Sequence, residues 1–169
     1  MLLRLRPYGP DDEEAALRSH AEVDGEDNWF LLGWEPAMAW AQFLQSARDQ
    51  RLGLDPSQYR VRGVQLAAVV DGELVGRASV RFELNDFFER QGGHIGYVVR
   101  PAHRRKGYAS EILRQALVIA RCEGVERVLM YCADANVGSA KVIERCGGVL
   151  DEVFIPIDGT GAWRRYWIF

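Results

Sequence analysis

Residues 99–109 read VRPAHRRKGYA, and this stretch decides the fold. The β-branched and aromatic residues before it predict a strand that ends at Pro101. After it, apolar residues recur at helical spacing as far as Cys122, and Gly124 suits the end of a helix. The stretch therefore connects a strand to a long helix.

The basic part of this connection has the features of an anion site. Gly107 lets the backbone approach a ligand closely, and Ala109 is small. The amides of about residues 105–110 are expected to point outward, with the helix dipole behind them. Basic side chains at a helix start oppose that dipole, so a bound pyrophosphate explains them better than an ordinary turn does. The candidate phosphate-binding residues are Arg104, Arg105, Lys106, Gly107, Tyr108, Ala109 and Ser110.

The patterns on either side predict one α+β domain over residues 1–169, with the order β-α-α-β-β-β-α-β-α-β-β. Asp71-Gly72 predicts a tight hairpin, and residues 85–91 predict a connection with a helical turn. The predicted helices cover about residues 11–23, 33–51, 105–122 and 136–146. The predicted strands cover about residues 3–7, 61–70, 74–84, 93–101, 128–132, 149–155 and 163–169.

The composition argues against several classes of protein. The formal net charge of −3 and the pI of about 5.7 do not suit a nucleic-acid or anionic-membrane partner. No apolar run approaches the roughly 18 residues of a membrane span, and no signal peptide is visible, so we expect a cytoplasmic protein. Cys122, Cys132 and Cys146 are widely spaced and odd in number, which predicts reduced thiols and no metal site.

Two stretches resemble the cofactor motifs of the GNAT superfamily of acetyltransferases. Residues 99–109 are similar to its first motif, with an R/Q-x-x-G-x-G/A core, and residues 136–148, NVGSAKVIERCGG, to its second. The resemblance implies a GNAT-like fold, with a mixed, mainly antiparallel sheet of six to seven strands flanked by helices. It also implies that acetyl-CoA lies in a V-shaped opening where the strands at 93–100 and 128–132 splay apart.

The resemblance implies further contacts to acetyl-CoA. Val98 and Val99 would bond the pantetheine or the thioester through backbone groups, and Asn136 and Ser139 would contact the pantetheine or phosphate arm. A backbone amide aimed at the thioester oxygen would stabilise the developing negative charge. Acetyl would move directly from acetyl-CoA to a primary amine of a small-molecule or peptide acceptor, without a covalent enzyme species.

The general acid is the point at which this chain departs from the family pattern. Many members have a tyrosine seven residues after the motif asparagine, and that position is Ile143 here, which cannot donate a proton. Tyr131, Tyr97 and Tyr108 are candidate substitutes, although each also suits aromatic packing. The missing tyrosine leaves open a second function, that of a non-catalytic acyl-CoA-binding or sensor protein.

His94 is the candidate base, because it lies on the strand that carries the base in some relatives. A satisfied structural histidine is the alternative, and Glu83, Glu89 or a chain of waters could also take the proton. Strand parity places His94 on the opposite face from Tyr97 and Val99, so only one of these faces serves catalysis unless a bulge intervenes.

Aromatic residues gather in the segment that the resemblance places along the acceptor site, and core packing explains them as well. They are Trp29, Phe30, Trp34 and Trp40. Acidic residues beside them suit either a cationic acceptor or a solvated loop. They are Glu22, Asp24, Glu26 and Asp27. The final strand, residues 163–169, is a candidate dimer edge or simply the closing strand of the sheet.

Overall fold

The computed structural model describes residues 2–23, 29–54, 60–156 and 159–169. Within these ranges the strands are β1 (Arg4–Pro7), β2 (Gly63–Val70), β3 (Glu73–Arg81), β4 (Ile95–Val99), β5 (Val128–Ala133), β6 (Val149–Phe154) and β7 (Trp163–Ile168). The helices are α1 (Glu13–Glu22), α2 (Trp40–Leu52), α3 (Asp86–Arg90), α4 (Tyr108–Cys122) and α5 (Val137–Arg145). The predicted α+β class and element order are confirmed, with α3 at the predicted helical turn.

The strands form two antiparallel sheets instead of one continuous mixed sheet. The first has the order β1-β2-β3-β4 and the second has the order β5-β7-β6. The connection through α4 brings β4 and β5 side by side, as strand–helix–strand units do. The predicted opening between these two strands therefore lies where the two sheets divide.

Asp71 and Gly72 form the predicted tight turn between β2 and β3. Both have positive φ, 49° and 84°, which is the conformation of a type I′ turn. From this turn β2 and β3 pair along their length, with Gly63 at the far end opposite Arg81. This register places β3 in the middle of the first sheet, between β2 and β4.

Two apolar cores stabilise the two faces of the first sheet. Ile112 and Leu113 of α4 are buried with residues of both sheets, including Ile95 and Met130, on what we call the α4/α5 face. Helices α1 and α2 cover the opposite face, the α1/α2 face, through buried residues such as Phe43. The α4/α5 face thus holds the two sheets together across their division.

The aromatic segment belongs mainly to the second core. Phe30 and Trp40 are buried there and Trp34 packs against it, as the core interpretation predicts. Trp29 differs, because 64% of it is exposed.

Two helices begin later than predicted. Helix α2 begins at Trp40 rather than near Gly33, because Pro36 takes part in a turn that Met38 N closes on Glu35 O at 2.8 Å. Helix α4 begins at Tyr108 rather than Arg105, because the backbone just before it is left-handed. Trp34 and Met38 continue the apolar spacing of α2 into the turn before it, which is why periodicity alone misplaced the start of that helix.

The final strand is not an edge, which corrects the predicted dimer edge. β7 lies between β5 and β6, and it bonds to both. The edge of the second sheet is β6, where Val149 and Val153 are more than half exposed. Sequence order could not reveal this, because the last strand inserts between two strands that precede it in the chain.

Candidate functional site

His94 joins the two sheets at the closed end of their division. Its amide donates to Leu129 O at 2.8 Å, and its Nδ1 accepts from Leu129 N at 2.9 Å. Burial and the nearby positive charge of Arg81 lower the pKa of His94 to about 4, so the ring is neutral near pH 7. In a neutral ring whose Nδ1 accepts, Nε2 carries the proton. His94 therefore has no free lone pair for a substrate proton in this geometry.

Tyr97 reaches across the open end of the same division. Its hydroxyl lies 2.8 Å from Ser139 Oγ in the first turn of α5. Burial raises the pKa of Tyr97 to about 12, so the phenol keeps its proton near pH 7. Tyr97 packs against the core of the α4/α5 face, whereas Val98 belongs to the core on the other face.

The backbone of β4 offers hydrogen-bonding groups to the opening at alternate residues. Arg81 N donates to His94 O at 2.7 Å, and Arg100 N donates to Val75 O at 3.0 Å. These bonds place the backbone groups of Gly96 and Val98 toward β3, so those of Val98 face away from the opening. The backbone groups of Val99 face it, which makes Val99 rather than Val98 the better fit to the predicted contact.

The basic loop before α4 has an unusual backbone. Arg105 and Gly107 both have positive φ, 65° and 83°. Positive φ costs little at glycine but is uncommon at arginine. Left-handed residues alternating with ordinary ones turn successive amides to one side, which produces a concave anion-binding nest.

The surroundings of the loop leave room for a ligand. A Cβ at Gly107 would meet no atom within 4 Å, so φ and not crowding restricts this position. The side chains of Arg104, Arg105 and Lys106 are exposed, and Arg104 Nε donates to Val99 O at 3.1 Å. The first-turn amides of α4, including those of Tyr108, Ala109 and Ser110, have no carbonyl within the helix to bond. The basic side chains of residues 104–106 and the first-turn amides of α4 thus lie together beside the open end of the division.

The start of α5 forms the other side of the opening. Asn136 caps the helix, and its Oδ1 accepts from Ser139 N at 3.0 Å. One turn after Ser139, Ile143 is fully buried. A Cβ at Gly148 would lie only 2.4 Å from Ile143 Cγ2, so the site of the usual tyrosine is tightly enclosed.

The other candidate catalytic tyrosines lie apart from Tyr97. Tyr131 lies on the opposite side of β5 from the α4/α5 core, and its hydroxyl donates to Glu89 O at 2.5 Å. The ring of Tyr108 lies 6.5 Å from that of His103.

A cavity of about 470 Å³ lies beside His94 and is lined by Leu84, Glu89, His94, Leu129, Asp151, Arg165 and Trp167. The structure does not bring His94, Tyr131 and Tyr97 together.

Two arginines on the α1/α2 face, the buried Arg77 and the partly buried Arg81, escaped the sequence analysis. Arg77 is 6% exposed; it donates from Nη1 to Ser79 Oγ at 3.3 Å and from Nη2 to Trp29 O. Arg81 Nη1 donates to Gly93 O at 3.0 Å, and its guanidinium lies 4.0 Å from the centre of the Phe88 ring. Burial lowers the pKa of both arginines to about 10. The signal was present in β3, since polar side chains recur there at every second residue.

The acidic candidates for a cationic acceptor are only partly described. Glu22 is engaged by Arg100, whose Nη2 and Nε lie 2.7 and 2.9 Å from its carboxylate oxygens. This pairing lowers the pKa of Glu22. Asp24, Glu26 and Asp27 lie outside the described residues. Glu22 is therefore part of an ion pair that joins α1 to the end of β4.

The described ranges contain neither a cluster of metal-ligating side chains nor a membrane-spanning helix. No three His, Cys, Asp or Glu side chains there are grouped so that they could hold a metal ion. Cys122, Cys132 and Cys146 are free thiols, as predicted. None of the helices in the same ranges has the length and apolar character needed to cross a bilayer.

Comparison with known proteins identifies the family. Residues 3–149 match the family of the acetyltransferase (GNAT) domain. The chain is 31% identical over 77 residues to YjdG, an uncharacterized N-acetyltransferase of Bacillus subtilis (strain 168), a match that spans 44% of this chain and 41% of YjdG. The chain therefore matches about two fifths of that protein.

Solved structures agree in fold. yncA from Salmonella typhimurium, solved with its cofactor acetyl-CoA, has a TM-score of 0.66 at 16% identity and covers 98% of this chain and 92% of its own. An N-acetyltransferase from Staphylococcus aureus Mu50 has a TM-score of 0.69 at 15% identity, with 99% and 98% covered. Since the family match extends over most of the sequence, this chain belongs to the GNAT family of acetyltransferases.

Proposed function

We propose that this protein is an acetyl-CoA-dependent N-acetyltransferase that moves acetyl directly to a primary amine of a small-molecule or peptide acceptor. The observation that carries the proposal is the nest before α4, where Arg105 and Gly107 take positive φ beside the open end of the β4–β5 division. Such a nest suits the pyrophosphate of CoA, because it offers amides and cations together.

Acetyl-CoA would be held from both sides of the opening. Residues 104–110 would bind the pyrophosphate, and the backbone amide of Val99 would bond the pantetheine arm. Asn136 and Ser139 would contact that arm from the start of α5. The reaction needs mainly placement and electrostatics from the protein, because the thioester is already reactive.

Tyr97 is the residue that we propose for assisting the leaving group. Its hydroxyl lies at the open end of the division and keeps its proton near pH 7. As the amine attacks and the carbon–sulfur bond breaks, Tyr97 would donate a hydrogen bond to the CoA sulfur. The amine proton would leave through water, because the lone pair of His94 is engaged by Leu129.

A non-catalytic acyl-CoA-binding or sensor protein is the second candidate. The buried Ile143 favours it, because this position lacks the proton donor that many relatives have. Both candidates require the nest to bind acetyl-CoA, and they differ only in turnover.

A thiol-release assay separates these functions. Purified protein with acetyl-CoA is offered polyamines, aminoglycosides, amino acids and peptides with free N-termini, and acetyl-CoA binding is measured by calorimetry. We expect CoA release with at least one amine. Binding without release on any amine supports the sensor, and no binding at all contradicts both candidates.

A further inference from the structure

We infer that the acceptor is a free amino acid, whose carboxylate binds Arg77 on the α1/α2 face while its amine is acetylated. This inference rests on the proposed function. It starts from a charged side chain that the fold buries and leaves incompletely bonded.

Arg77 has neutral partners where an anion is expected. Its described hydrogen bonds go to Ser79 Oγ and Trp29 O, and its Nε has no partner. No ion pair of Arg77 occurs within the described residues, and the neighbouring charge on its own strand is a second arginine, Arg81. A guanidinium stays charged at neutral pH, and burying it without an anion is strongly unfavourable. Within the described residues, therefore, no anion neutralises the positive charge of Arg77.

Gly96 of β4 lies beside this charge. Gly96 is only partly buried, and a Cβ there would lie 3.4 Å from Arg77 Nη1 and 3.2 Å from Ser79 Oγ. Because Gly96 has no side chain, Arg77 Nη1 and Ser79 Oγ can lie close against the partly exposed backbone of β4. A carboxylate placed there could accept from Arg77 and from the Ser79 hydroxyl.

The location suits an acceptor. Gly96 immediately precedes Tyr97, and its side-chain direction is opposite to that of Tyr97. A molecule bound at Gly96 would thus approach the division of the sheets from the face opposite α4 and α5. An amine on the carbon next to the carboxylate could then point into the division. This spacing is that of an amino acid and not of a long polyamine.

The test compares acceptors that differ only in the carboxylate. Phenylalanine, its carboxamide and phenethylamine form one series, and glycine and glycinamide form another. We expect kcat/KM for CoA release to be at least about tenfold higher with the carboxylates, since a buried polar partner is otherwise left unsatisfied. Turnover of the amides or simple amines at equal or higher kcat/KM overturns the inference while leaving the proposed function intact.

Variants assign the preference to Arg77. Arg77→Gln should remove the preference, and Arg77→Lys should retain part of it, while acetyl-CoA affinity stays within about twofold. Gly96→Ala should raise KM for the amino acids and leave acetyl-CoA affinity unchanged, because the added methyl would lie 3.2 Å from Ser79 Oγ and 3.4 Å from Arg77 Nη1 and so displace both groups. A preference that persists in Arg77→Gln overturns the inference.

A binding measurement covers the case in which no acceptor is turned over. Phenylalanine and glycine, each added with CoA, should raise the melting temperature of the wild type but not that of Arg77→Gln. No shift in the wild type overturns the inference. The acidic residues that precede Trp29 in the sequence are the competing source of negative charge. Neutralising Asp24, Glu26 and Asp27 together should leave the carboxylate preference unchanged, and its loss in that variant overturns the inference.

Discussion

His94 exchanges two hydrogen bonds with one residue, since its amide donates to Leu129 O at 2.8 Å and its Nδ1 accepts from Leu129 N at 2.9 Å. This pair joins the two sheets just before they separate. His94 Nδ1 thus accepts the hydrogen bond from Leu129 N that a backbone carbonyl would accept in a regular β-ladder.

Two substitutions at His94 distinguish a positioning role from a role as the catalytic base. His94→Asn keeps a side-chain acceptor of similar reach, whereas His94→Ala removes it. We expect kcat of His94→Asn within about fivefold of the wild type and a loss of about 1–3 kcal/mol of stability in His94→Ala. Equal, large losses of kcat in both variants, with normal melting curves, would instead identify His94 as the base.

The stability of the protein should also depend on pH through His94. Its pKa is about 4 in the folded chain and near 6.5 when unfolded, so the unfolded state binds the proton first as pH falls. The contribution of His94 to the free energy of unfolding is full above pH 6.5 and is lost as the pH falls from 6.5 to 4. It amounts to about 2 kcal/mol, because water screens part of the effect. Urea unfolding of wild type and His94→Asn across this range should show a shallower pH dependence for the variant.

Gly107→Glu should abolish acetyl-CoA binding, because it places bulk and negative charge where the phosphates would lie. Gly124→Glu is a matched control at the other end of α4, since Gly124 also has positive φ, 88°, and nothing within 4 Å of its Cβ position. Calorimetry should show at least about a hundredfold weaker binding for the first variant and wild-type binding for the second. Unchanged affinity in Gly107→Glu would refute the phosphate site.

Tyr97→Phe removes the hydroxyl that we propose for the leaving group. We expect kcat to fall about 10- to 100-fold, with acetyl-CoA affinity within about threefold. Ser139→Ala is the comparison, because it removes the hydrogen-bond partner of Tyr97 but keeps the phenol. Since Ser139 is also proposed to contact the pantetheine arm, kcat is compared at saturating acetyl-CoA. If the two variants lose activity equally, the hydroxyl acts by positioning α5 and not on the sulfur.

Ile143→Tyr restores the residue that many relatives have, yet it should not restore their chemistry. Ile143 is fully buried against Gly148, so a larger ring forces that contact apart. We expect a loss of about 1–3 kcal/mol of stability without an increase in kcat. Ile143→Val controls for a conservative change. A tyrosine variant that is stable and faster than the wild type contradicts this account of the site.

Local patterns predicted much of this molecule from the sequence. The type I′ hairpin and the strand–loop–helix around Gly107 follow from short stretches, because turn residues and helix starts are local chemistry. The position of β7 in its sheet does not follow from short stretches, and neither does the lack of an anionic partner for Arg77 among the described residues. Both depend on which strands become neighbours. The engaged lone pair of His94 likewise exists only once β5 has docked, so the sequence could suggest a histidine but not its acceptor state.

The place of β7 between β5 and β6 also bears on how the chain folds as it is made. The first sheet needs only residues up to Val99, so it can assemble while later residues are still being synthesised. The second sheet cannot, because β5 and β6 have no common partner until the ribosome has released the chain beyond Ile168. Until then both strands have unpaired edges that another nascent chain could pair with. The second sheet is therefore completed later than the first.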